Sequence, residues 1–151
     1  MSDTHVRWLD SEQQKIWRTY LRATAHVNQA LDTDLRQQGL DMAEYNILVC
    51  LSEAPDQKMR MSQLADEVVH SRSRLTHTIT RLEKRGLVVR ETCQDDGRGI
   101  LARLTPSGRA KIEEVAPIHV EAVRKVLVDA MSSEDFRALG RGLESVLTMA
   151  D

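Results

Sequence analysis

The chain has 151 residues, of which 41% are hydrophobic and 29% charged, enough for one domain with a real core and the balance of a soluble globular protein. Aromatic residues make up only 3%, so the core is built mostly from Leu, Val, Ile, Ala and Met, and no apolar run approaches the roughly 20 residues of a membrane helix. The net charge of −2 is unevenly spread: residues 58–103 hold ten basic and six acidic side chains, a local +4 that leaves −6 elsewhere. A basic middle between acidic flanks is the footprint of a nucleic-acid-binding lobe on an acidic scaffold.

Residues 11–38 read as one long helix. Asp10 or Ser11 can cap it, and Ser11 with Gln14 fits a capping box. Ile16, Tyr20, Thr24, Val27, Leu31 and Leu35 recur at steps of three and four as one buried stripe. Gly39 stops this helix. Asp41 caps a second helix with Glu44 three residues on, and Ile47, Leu48 and Leu51 face inward. Ala54-Pro55-Asp56 is a loop. Ser62 caps a short third helix over 63–69, and Ser71 caps a fourth over 72–85 that Gly86 ends. The period then changes. Leu87–Cys93 is β-prone, Asp95–Gly99 is a turn cluster and Ile100–Leu104 is a second strand, together a β-hairpin. Thr105 and Pro106 open a long helix to about residue 130, bent near Pro117. Ser132 and Asp135 start a last helix that runs to about residue 149.

Residues 62–88 carry the functional signal. Two short helices meet at a tight turn, and the second is rich in Arg, Ser, Thr and His. At about 100° per residue, Leu75, Ile79 and Leu82 fall on one side as core. Ser73, His77, Thr80 and Lys84 fall opposite, flanked by Arg74, Thr76 and Arg81, with no carboxylate before Glu83. Hydroxyls and cations without carboxylates suit a helix in the major groove, where its first residues reach base edges and phosphates meet its N-terminus. A solvated amphipathic helix gives the same pattern in isolation, but the helix before it and the basic hairpin after it favour DNA. At the hairpin tip Arg98 sits between Gly97 and Gly99, next to Asp95 and Asp96. Such an Arg can enter a narrow minor groove, or simply pair with a neighbouring Asp in a solvated turn.

The run from Ser62 through Thr105 resembles the MarR family of bacterial transcriptional regulators. The resemblance rests on Leu64-Ala65, Ser71 to Thr76 and Arg81 to Val88, and on Asp96-Gly97-Arg98 followed by Leu104-Thr105-Pro106-Ser107-Gly108. It implies one domain over 1–151, mainly α with one β-hairpin (α+β). A winged helix-turn-helix lobe spans 42–105, and dimerisation helices span 8–38 and 106–150. It also implies a homodimer on a pseudo-palindromic site in double-stranded DNA, in the bacterial cytoplasm at the nucleoid. Ser62, Ser71, Arg72, Ser73, Arg74, Thr76, His77 and Arg81 are the expected DNA-binding residues of the helices, with Arg98 on the wing and Asp96 positioning it. Just before the recognition helix, where the family often has a small or apolar residue, this chain has His70.

The surplus apolar residues Trp8, Leu9, Trp17, Phe136, Leu139, Leu143, Val146 and Leu147 support dimerisation from the residues themselves. The resemblance further implies a repressor that releases DNA on binding a small, often phenolic, anion. Candidate lining residues are Trp17, Tyr20, Arg22 and Tyr45. Cys50 reads as a small core residue and Cys93 as a strand residue, and the five histidines lack paired metal-ligand spacing. No cofactor is implied. A glycine-rich phosphate loop, a His-Glu pair on one turn and a nucleophile elbow are all missing, so the chain does not read as an enzyme. The residues MSDTHVRWLDSEQQ hold no apolar signal core, in keeping with a cytoplasmic protein. The alternative function is a winged helix used for protein contact, which calls for acidic or apolar residues where Ser73, Arg74, His77 and Thr80 stand.

Overall fold

A computed structural model describes residues 6–94 and 99–150. Helices dominate, in the order α1 (Ser11–Gln37), α2 (Met42–Glu53), α3 (Met61–Glu67), α4 (Arg72–Lys84), α5 (Pro106–Val123) and α6 (Ser133–Thr148), with strands β1 (Lys58–Arg60), β2 (Val88–Thr92) and β3 (Ile100–Leu104). The strands form an antiparallel sheet in the order β1-β3-β2. This is the winged helix-turn-helix architecture, mainly α with a β-hairpin.

Local chemistry explains most boundaries. Asp41 accepts from Glu44 N–H at 2.8 Å while Glu44 reaches back to Asp41 N–H at 3.1 Å, closing a reciprocal capping box on α2. Ser71 Oγ accepts from Arg74 N–H at 3.2 Å and starts α4. Thr105 Oγ1 accepts from Gly108 N–H at 3.0 Å and donates to Gly86 O at 2.6 Å, so it starts α5 and ties that helix to the end of α4. Leu75, Ile79 and Leu82 of α4 are at most 1% exposed and pack with Ile47, Leu48 and Leu51 of α2. Burying each such side chain stabilises the fold by about 1.5–3 kcal/mol.

Several expectations need correction. The capping box of α1 is Asp10 with Gln13, not Ser11 with Gln14. The cap of α3 is Arg60, which makes no side-chain cap bond, and Ser62 lies inside the first turn. A third strand joins the hairpin because β3 offers its free edge to Lys58-Met59-Arg60, in register with Arg103, Ala102 and Leu101. Cys93 lies one residue past β2, where its N–H still bonds Gly99 O at 2.8 Å. The helix through Pro117 changes hydrogen-bond pattern further on, with π-type turns over Arg124–Val128 closed by Asp129 N–H to Arg124 O at 2.8 Å. The stripe on α1 is buried only at Leu31 and Leu35, while Ile16 and Tyr20 are exposed. No helix among the described residues is long and apolar enough to cross a membrane.

Candidate nucleic-acid interface

The exposed side of α4 is built by elimination. Leu75, Thr78, Ile79 and Leu82 are buried, which leaves Arg72, Ser73, Arg74, Thr76, His77 and Arg81 exposed. Thr76 Oγ1 donates to Arg72 O at 2.8 Å and Thr78 Oγ1 to Arg74 O at 3.0 Å. The Thr76 hydroxyl therefore meets a partner mainly as an acceptor.

These residues divide between two clefts. Ser62, Arg72 and Thr76 line one of about 420 Å³ between α3, α4 and the sheet, together with Arg60 and Arg90. Ser71, Ser73, Arg74, His77 and Arg81 line another of about 480 Å³, against Asp32, Arg36 and Asp41 at the junction of α1 and α2. The first cleft is rich in cations, and Arg60 and Arg90 are the members that the helix pattern alone did not single out. Their signal was only their place in the basic segment. Asp96 and Arg98 lie outside the described residues.

The carboxylates near α4 are already engaged. Glu83 accepts from the Arg90 backbone N–H at 2.8 Å and from its guanidinium at 3.0 Å, and these bonds hold its carboxyl below the usual range. Glu44, only 7% exposed, accepts from Arg81 Nε at 3.2 Å and from Arg85 at 3.4 Å. Arg81 also reaches Asp41 at 3.2 Å. Arg81 therefore braces α4 on the N-terminus of α2, with about half of its side chain left accessible. Asp32 extends the brace into α1. It accepts from Arg36 at 2.6 Å and from Met42 N–H at 3.1 Å, and these bonds hold its pKa down. At the turn before α4, burial and then the nearby Arg74 push His70 below the usual imidazole range.

The four candidate effector residues do not converge within one chain. Trp17 and Tyr20 stack with ring centroids 6.0 Å apart, on a stretch of α1 that includes Arg22 and is exposed throughout. Tyr45 is buried and its ring lies 4.4 Å from that of His119. Cys50 is half-buried and burial pushes its thiol pKa up, while Cys93 is buried.

The family profile described as MarR family matches residues 40–100. The HTH-type transcriptional regulator PecS of Dickeya dadantii (strain 3937) is 31% identical over 135 residues, covering 84% of this chain and 81% of that protein. Among solved structures, AbsC, a MarR family transcriptional regulator from Streptomyces coelicolor, superposes with a TM-score of 0.92 at 41% identity, over 96% of this chain and 98% of its own. Sco3205, a MarR family regulator from the same organism whose structure is a complex with DNA, gives a TM-score of 0.92 at 38% identity, over 96% and 91% of the two chains.

Proposed function

This chain belongs to the MarR family of transcriptional regulators, and from that premise we propose that it binds a pseudo-palindromic operator as a homodimer and represses transcription until a small molecule releases it. The observation that carries the reading is the exposed side of α4. It offers Ser73, Arg74, Thr76 and His77 beside the helix N-terminus, and its one carboxylate, Glu83, is neutralised by Arg90. Base edges in the major groove are recognised by such donors and cations. Serine hydroxyls and arginines at the helix start hold the phosphates. A DNA-bound regulator of this kind works in the cytoplasm, at the nucleoid.

Dimerisation is supported by α6, a 16-residue amphipathic helix with no buried residue. Val146 and Leu147 are 65% and 70% exposed, and Trp8 and Ile16 near the other end of the chain are 84% and 61% exposed. A twofold interface covers such faces with copies of themselves. It sets the two recognition helices about one helical turn of DNA, ~10 bp, or a multiple apart. Repression follows when the seated dimer occupies promoter DNA. Trp17 and Tyr20 lie stacked on the uncovered stretch of α1, so a partner laid over it would enclose a flat ring against their aromatic faces, while Arg22 on the other side of the same helix would offer its charge to a different part of the assembly. Tyr45 would act from the core side.

Selection of bound duplexes from a random DNA pool tests this reading. Inverted repeats with centres about 10 bp apart are expected. Arg74→Ala should cost about 1–3 kcal/mol and relax preference at one base position per half-site. Direct repeats, or a loss equal for all sequences, would contradict the assignment of Arg74 as a base-reading residue on a twofold dimer.

A further inference from the structure

Among the described residues, α1, α3 and α4 end in the same backbone motif. In each, a residue of positive φ is followed by one whose N–H reaches back five positions. Leu40 N–H bonds Leu35 O at 3.1 Å, His70 bonds Ala65 O at 3.0 Å, and Leu87 bonds Leu82 O at 3.0 Å. The positive-φ residue is Gly39 (80°) after α1 and Gly86 (73°) after α4, but Val69 (54°) after α3. Glycine is the ordinary occupant because it has no Cβ to crowd the neighbouring carbonyl. A β-branched residue there is an outlier that stores strain. The residue after the turn is covered in all three, with Leu40 and Leu87 buried and His70 half-buried, but the Val69 side chain itself is 87% exposed and gains no packing that would repay its strain. A strained backbone thus holds an isopropyl group in solvent, two residues before Ser71, the cap of the recognition helix.

We propose that Val69 is a specificity-determining residue whose methyl groups contact the 5-methyl group of a thymine at the rim of the major groove when α4 is seated there. The proposal rests on the DNA-binding reading above. Thymine is the base whose major-groove edge carries an apolar methyl group. The β-branched side chain is stiff at χ1, so little freedom is lost on making the contact. The turn carries Val69 on the same end of α4 as the exposed Ser71, Arg72 and Ser73. Strain kept at a position that glycine would relieve is the expected signature of a residue retained for its side chain.

The test uses a duplex recovered by selection from a random pool. Each thymine is replaced singly by deoxyuridine, which removes the methyl group and leaves every hydrogen-bonding group. The parent is compared with Val69→Gly and Val69→Asn, both suited to positive φ. Both variants should melt at or above the parent and bind the thymine duplex roughly threefold to tenfold more weakly, the lower range for one base contact. One deoxyuridine position per half-site should cost the parent the same factor and cost the variants nothing. The proposal is overturned if the variants bind as tightly as the parent, or if the deoxyuridine penalty is the same in all three. A lower melting temperature in both variants would overturn it too, by showing that Val69 stabilises the fold. A parent that recovers no duplex from the pool would sink the DNA reading and this inference with it. That outcome is distinct from a parent that binds thymine and deoxyuridine duplexes alike.

Discussion

Glu44→Gln tests whether the brace between α2 and α4 is what seats the recognition helix. The carboxylate is 7% exposed and accepts from Arg81, Arg85 and the Asp41 N–H at 3.2, 3.4 and 3.1 Å. Glutamine keeps the volume and one carbonyl oxygen, so the capping bond to Asp41 N–H can persist. Its amide nitrogen then faces a guanidinium, donor against donor, and at least one charge-assisted bond is lost, about 1.5–3 kcal/mol. The arginines are 49% and 39% exposed and keep their water. The loss therefore stays well below the 3–5 kcal/mol of a fully buried pair, near 2 kcal/mol. For a chain of this size that lowers Tm by about 4–8 °C, read at one fixed protein concentration so that any self-association is held constant. If about 1 kcal/mol of the loss appears as misplacement of α4, operator affinity falls roughly fivefold. Circular-dichroism melting and fluorescence anisotropy measure the two effects. A cycle with Arg81→Gln should show coupling of about 1 kcal/mol or more. A Tm within 1 °C of the parent, or additive single and double variants, would refute the brace.

Gly108→Ala should be strongly destabilising, by about 3 kcal/mol or more. A Cβ there would run into Leu87 O, a backbone atom that already accepts the Thr105 N–H at 3.1 Å and cannot step aside alone. Soluble yield and Tm check this, and a variant as stable as the parent would contradict it. Burial lowers the pKa of His119, whose Nδ1 lies buried without a hydrogen-bond partner. The unfolded chain therefore takes up this proton more readily, and stability is lost as pH falls below about 6.5. The unfolding free energy from urea melts should drop between pH 7.5 and 5.5 by at most about 1.4 kcal/mol per pH unit for this group, and His119→Gln should flatten that slope. Arg98→Ala should lower the magnitude of the salt slope of DNA binding by roughly one, a single cation's share of released counterions. If Asp96 positions that arginine, Asp96→Ala should do little once Arg98 is Ala; strictly additive effects with an unchanged salt slope would remove Arg98 from the site.

The caps of α2, α4, α5 and α6 were legible because each is a contact between residues three apart. The core side of α4 was legible because Leu75, Ile79 and Leu82 share one helical face whatever covers it. The exposed candidates of α4 followed from the same count. Their division between a cleft facing the sheet and a cleft facing α1 did not, because it depends on where the sheet and α1 pass in space. Lys58-Met59-Arg60 has no strand pattern of its own and became β1 only because β3 presented an edge. The partners of Arg81 lie 40 and 37 residues away, at Asp41 and Glu44, beyond any local rule. Val69 reads as an ordinary apolar residue until its φ is known, since the motif at a helix end is set by backbone hydrogen bonds and not by the side chain. The stripe on α1 marks the limit most clearly. Its period states that one face must be covered, and Leu31 and Leu35 are covered by the chain itself while Ile16 and Tyr20 are not. Amphipathic spacing encodes the demand for burial, but which surface meets that demand is decided only when the elements are placed in space.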